Sequence, residues 1–187
     1  MPSCRSRRVP AALARFALAA ASCALAVSAL AATPIQVTSK TPTDGPIRYT
    51  VHVTSKQFGD ASETRTLRSG DTDDFTWRTT PPGGAVAVAQ GCPNAGALPL
   101  DANGAMVRQT QVRLAPIVAA NGTANVQVNF RAQAPHGTRA LTSGGKSITC
   151  PAVTSHTQIV RFSMPTDGTA KTIRLSDGTE ITISARR

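Results

Sequence analysis

Three histidines, His52, His136 and His156, two cysteines late in the chain, Cys92 and Cys150, and the acidic run Asp71-Thr72-Asp73-Asp74 are the side chains through which this sequence could do chemistry. The histidines lie far apart and form no HExxH or paired-ligand spacing, so nothing indicates a zinc centre. His52 occupies a polar position in an alternating segment and reads as a solvated side chain. No GxSxG elbow marks a nucleophile, so a Ser-His-Asp triad would have to be assembled in space from separate loops. Glu63 falls at the start of a strand and Glu180 opposite Arg174, which leaves paired-carboxylate hydrolysis without support. Oxygen ligands at Asp71, Asp73 and Asp74 would suit calcium, but a full site needs six or more oxygens. The run is better explained as a charged turn between strands ending at Arg68 and starting at Phe75, and no metal is expected. Ala140 to Ser147 looks like a phosphate-binding loop, yet Ala140 stands where the first glycine belongs and no strand-loop-helix unit surrounds it. No catalytic residue and no cofactor follow from these patterns.

The cysteines read differently once the N-terminus is considered. Residues 1–32 have the three-part layout of a secretory signal: Arg5, Arg7 and Arg8, then an Ala-rich apolar stretch from Phe16 to Leu30, then the small-x-small site Ala29-Leu30-Ala31. A permanent anchor is the competing reading, but the stretch barely reaches spanning length and is mostly alanine. Cleavage after Ala31 or Ala32 would leave residues 33–187 as a single β-rich domain with no stable membrane span, periplasmic or secreted, behind a leader of bacterial type. The leader carries four of the 20 basic residues and none of the 10 acidic ones, so the formal charge falls from +10 to +6. Cys4 and Cys23 leave with it. Cys92 and Cys150 remain, without a CxxC partner or flanking histidine, in a chain sent to an oxidising compartment, so they are expected to form one disulfide. Closing so long a loop is worth roughly 4 kcal/mol in the chain-entropy model. That matters because aromatics make up only 4% of the chain and the core is short of bulk.

What must position these groups is a set of strands. Apolar and polar residues alternate at Ile47 to Val53, Asn125 to Phe130, Gln158 to Met164 and Thr179 to Ser184, with threonine and valine abundant. Met106 to Ala120 fits two-residue alternation better than helical spacing, and Pro116 would interrupt a helix. Hairpin parity fixes two turns. Around Asp177-Gly178, a three-residue loop (Ser176-Asp177-Gly178) pairs Ile173 with Ile181 and Arg174 with Glu180, where a two-residue loop would mix core and solvent faces. The same device at Ala120-Asn121-Gly122 sets Leu114 opposite Val128 and Val112 opposite Phe130, with Arg113 and Arg131 outward. A turn at Thr166-Asp167-Gly168 extends this into a C-terminal meander. Further strands are expected near 35–39, 63–68, 73–78 and 85–90. Pro81 to Gly84 and Gly91 to Gly104 read as loops, the second tied down by the disulfide, and Gly137 to Lys146 as a flexible region. The expected fold class is all-β, an antiparallel β-sandwich that is immunoglobulin-like in the broad sense, with a small β-barrel as the alternative.

The surplus charge then has a place to act. Arg113 and Arg131 project from one hairpin, and Arg161 and Arg174 are expected as neighbours across strands, so the four could form an anion-binding surface. Its partner would be an anionic envelope component or another envelope protein. Solubility and the blunting of sheet edges explain the same charge. Few aromatics interleave with the arginines, so nucleic acid is not expected. In size, leader, single disulfide and sandwich class the chain resembles pilus subunits, although those place their cysteines early and an aromatic near the C-terminus, whereas this chain ends Ile183-Ser184-Ala185-Arg186-Arg187. The resulting expectation is an exported, non-catalytic envelope protein with a binding or structural role. A small secreted hydrolase with a loop-assembled triad and a pilus-subunit-like structural protein are the alternatives.

Overall fold

A computed structural model of the chain describes residues 45–187; the leader expected over 1–32 and the strand expected near 35–39 lie outside the described residues. Strand alternation sorts the side chains as a pleated sheet must. β1 (Ile47–Thr54) buries Ile47, Tyr49, Val51 and Val53 and turns Arg48, His52 and Thr54 to solvent. β1 lies between β2 (Ala61–Leu67) and β10 (Glu180–Arg186), and β9 (Asp167–Arg174) completes the first sheet in the order β2-β1-β10-β9. The second sheet runs β3-β6-β7-β8, from β3 (Asp73–Thr79), β6 (Arg108–Val118), β7 (Thr123–Ser143) and β8 (Lys146–Pro165). All pairings are antiparallel, and the small β4 (Val86–Ala87) and β5 (Ala105–Met106) form a separate two-stranded ribbon.

The two large sheets pack face to face over one core. Ile181 and Ile183 of the first sheet share it with Phe75, Val112, Leu114, Val128 and Phe130 of the second, and Phe58 from the β1–β2 loop meets Phe130 edge-on at 6.3 Å. Each such side chain contributes about 1.5–3 kcal/mol by leaving water. Ala124, Ala132 and Ala134 on β7 contribute little, so the few aromatics carry much of the filling.

The sandwich does not close into a barrel. No ladder joins β2 to β3 or β8 to β9, although each pair meets across an open seam. The barrel alternative is therefore set aside, and the likeness to immunoglobulin domains stops at two packed antiparallel sheets. The connectivity is an up-and-down path around the molecule, with β1 beside β10, and not a Greek key. Side chains bridge the seams instead of backbone. Arg65 of β2 donates to Asp73 Oδ1 (2.9 Å) and to the Asp74 carbonyl (3.1 Å) on β3, while Gln158 Oε1 on β8 accepts from the Ser176 backbone N–H and hydroxyl (3.0 Å each).

Both three-residue hairpins have the register that parity requires: Ile173 pairs with Ile181 and Arg174 with Glu180, Leu114 with Val128 and Val112 with Phe130. Gly122 (φ 83°) and Gly178 (φ 84°) take the left-handed position of each turn. Three expectations are corrected. The turn at Thr166 to Gly168 carries the chain between sheets, so β8 and β9 are not a hairpin and the meander breaks there. The strand near 85–90 is only Val86–Ala87. Gly137 to Lys146 is not a loop: β7 and β8 continue pairing out to Ser143 and Lys146 around Gly144-Gly145. Past Gln133, the last pairing of β7 with β6, Ala134 still reaches the core, but from His136 to Ser143 β7 is exposed apart from half-buried Leu141, which is why this stretch lacks one-sided alternation.

Candidate functional site

The outward positions of the second sheet form a polar lattice. In register across it stand Asp74, Arg113 and Asn129; Thr76, Gln111 and Arg131; Arg78, Gln109 and Gln133; and Ala115, Gln127 and Arg161. Three of the four expected arginines, Arg113, Arg131 and Arg161, thus share one face, and Arg78 joins them. Arg174 does not. It lies in the first sheet, bonded to Glu180, so the expected neighbourhood of Arg161 and Arg174 is corrected: parity sees hairpins and cannot tell that the chain changes sheets between them.

The arginines are not equally available. Arg113 makes a two-pronged bond to Asp74, at 2.8 and 2.6 Å. Arg161 donates to Gln127 Oε1 (2.8 Å) and Arg78 to Gln109 Oε1 (3.0 Å), geometries that hold the guanidinium without neutralising it. Arg131 has no hydrogen-bond or ion-pair partner among the described residues. It lines a cleft of about 80 Å³ with Asp74, Gln111, Arg113 and Asn129, and there Asn129 Oδ1 is buried without a hydrogen-bond partner. A second hollow, of about 430 Å³, lies further along the same face beside Arg161, Asn125 and Ile117, the last 64% exposed. Sequence reasoning missed Arg78, which enters from β3, and the amides, whose spacing at every second residue of β6 and β7 was the available signal.

The remaining candidates are dispersed. His52 Nε2 bonds Thr54 Oγ1 (3.0 Å) on the outer face of the first sheet. His136 borders a hollow beside Pro81 and Arg108. His156 contacts Gln158 Oε1 (3.3 Å), with Asp177 Oδ1 at 3.7 Å, outside hydrogen-bond reach, and the nearby Ser176 hydroxyl donates to Gln158. The acidic run is divided among different partners: Asp71 Oδ2 accepts the Arg68 N–H, Asp73 takes Arg65, and Asp74 takes Arg113. The Arg113 hydrogen bonds hold the Asp74 carboxyl below its ordinary range, and the Arg113 guanidinium is raised in return. The hydrogen bonds that Arg65 donates to Glu63 and then to Asp73 raise its guanidinium, which also lies 5.0 Å over the Phe75 ring.

Residues 2–187 match a family described as a family of unknown function, DUF6013. The chain belongs to this family. No curated protein and no solved structure matches it.

In this DUF6013 member Cys92 and Cys150 form a disulfide, with Cα atoms 5.7 Å apart. It pins the loop after β4 to the base of the projecting β7–β8 ribbon, where Cys150 pairs with Arg139. Gly91 packs beside Ile148 on the same ribbon. Met106 and Val107 are buried under this loop, apart from the main core. The loop contains one 3₁₀ turn, Ala95–Ala97, entered through Asn94 with a left-handed backbone (φ 59°).

Proposed function

We propose that this protein is an exported, non-catalytic envelope domain that binds an anionic, hydroxyl-rich envelope component, an acidic polysaccharide, on the outer face of its second sheet. The observation that carries the reading is the cleft at Arg131. A guanidinium without a protein partner there adjoins a buried amide oxygen without one, a pair suited to a ligand offering a carboxylate and a hydroxyl together. Arg78, Arg113 and Arg161 stand on the same face with Asp74 as the one carboxylate at its paired strand positions, and the surrounding amides can both donate and accept. Tyr49, Phe58, Phe75 and Phe130 are in the core, with Trp77 and Phe162 packed against it, leaving among the described residues no stacking platform of the kind single-stranded nucleic acid uses. Binding has more support than hydrolysis because the Ser176 hydroxyl is directed to Gln158 and not to His156. Export rests on the leader pattern of residues 1–32.

Polygalacturonate, a soluble polyuronate, is a direct probe. Saturable binding is expected at low salt, weakening as salt rises, with no binding to neutral dextran. The double substitution Arg131→Gln and Arg161→Gln should weaken it about tenfold or more. Absence of binding at low salt, or affinity unchanged by the double substitution, would overturn the proposal. Preference for anionic phospholipid vesicles over the polyuronate would overturn the choice of polysaccharide.

A further inference from the structure

The disulfide-pinned loop walls off a further concavity, which meets the polar lattice described above only at Gln133. It encloses about 290 Å³, near the lower end of ordinary small-molecule pockets at roughly 300 Å³. One side is β-ribbon, with Gln133, Arg139 and Val153; the other is the tethered loop, with Pro93 and Leu98; the disulfide itself joins the two walls. Three properties of this lining select a ligand class. Its one charged side chain is Arg139, which has no carboxylate partner among the described residues, and no acid lines the pocket. Val153 remains 42% exposed there although it is a large apolar residue, so a ligand with an aliphatic body would remove its surface from water. The remaining polar groups, among them Gln133 and Ser155, are neutral and can orient a carboxylate without repelling it.

We infer that this pocket binds a short aliphatic carboxylate, its carboxylate on Arg139 and its chain between Leu98 and Val153. The inference is independent of the sheet-face proposal, because Arg139 and the tethered loop lie outside the cleft at Arg131. Two strands and one disulfide-fixed loop supply the walls, so the site is preorganised, which lowers the ordering cost of binding.

Octanoate is the probe, titrated into isotope-labelled protein and followed by amide chemical shifts. Saturable shifts are expected at Asn94, Leu98, Arg139 and Val153, and octylamine, which carries the opposite charge, should leave them unmoved. Arg139→Gln, an exposed position that the core does not depend on, should weaken octanoate binding about tenfold or more. The paired substitution Cys92→Ser and Cys150→Ser should abolish it by freeing one wall, whereas Arg131→Gln should leave it unchanged while reducing polygalacturonate binding. Shifts centred elsewhere, equal response to octylamine, or full affinity in Arg139→Gln would each overturn the inference.

Discussion

Arg65 shows how one side chain substitutes for a missing strand ladder. On an edge strand, an inward-leaning arginine would ordinarily be unfavourable, yet here it takes Glu63 on its own strand at 2.6 Å, Asp73 and a backbone carbonyl on β3, and the face of Phe75. The charge both closes the seam and keeps the edge from pairing with another chain. Asp74 works next to it, with its carboxyl held below the ordinary range by Arg113. A depressed folded-state value means that the stabilisation is complete above the unfolded carboxylate value, near 4, and is lost as pH falls through the folded one. Asp167, lowered by the Thr169 N–H, acts in the same window. Urea midpoints of the protein should therefore fall between about pH 5 and pH 2, and Asp74→Asn should show a shallower fall. An equal slope in the two proteins would mean that Asp74 is not coupled to folding. The acidic run was only partly legible: it was expected as a turn ahead of a strand starting at Phe75, but Asp73 and Asp74 already pair in β3, and the arginines that take up their carboxylates were not readable because they lie 8 and 39 residues away.

Among the elements, the β7–β8 ribbon depends most on its turn. Gly144 (φ 56°) and Gly145 (φ 78°) both lie in the left-handed region, as a two-residue hairpin of type I′ requires, and neither has a neighbour near an added Cβ. Asparagine tolerates that conformation and has fewer unfolded states than glycine, so Gly144→Asn should stabilise the protein by about 0.5 kcal/mol. Gly145→Val, a β-branched residue forced to positive φ, should destabilise it by about 1–3 kcal/mol. Chemical denaturation measures both, and stabilisation by valine would contradict the turn type. Hairpins with one buried face were readable from sequence, since Leu114 opposite Val128 and Ile173 opposite Ile181 are dictated by burial. The ribbon was not readable for the converse reason: around Thr142 to Ser147 both faces meet solvent, so no alternation is imposed, and its glycines read as flexibility. The binding face was half legible. Arg113 and Arg131 follow from one hairpin's parity, but Arg78 enters through β3, whose pairing with β6 spans the whole β4–β5 loop region.

At the scale of the whole molecule, the up-and-down path makes β10 the element that completes the first sheet. It supplies Ile181, Ile183 and Ala185 to the core and backbone partners to both β1 and β9. Because Arg48 pairs with Arg186 and Thr54 with Glu180, the chain enters β1 and leaves β10 at the same end of the same ladder. Tension applied through those two points would open this ladder like a zip, breaking its hydrogen bonds one after another instead of shearing them together. In a single-molecule pulling experiment the domain should yield at low force when held at residues 46 and 187, and resist more when held at positions that load β1 and β10 along their length. A high force in the first geometry would contradict the register. A domain that unzips in this way would be poorly suited to transmit tension in a fibre, and much better suited to hold a surface that stays at rest.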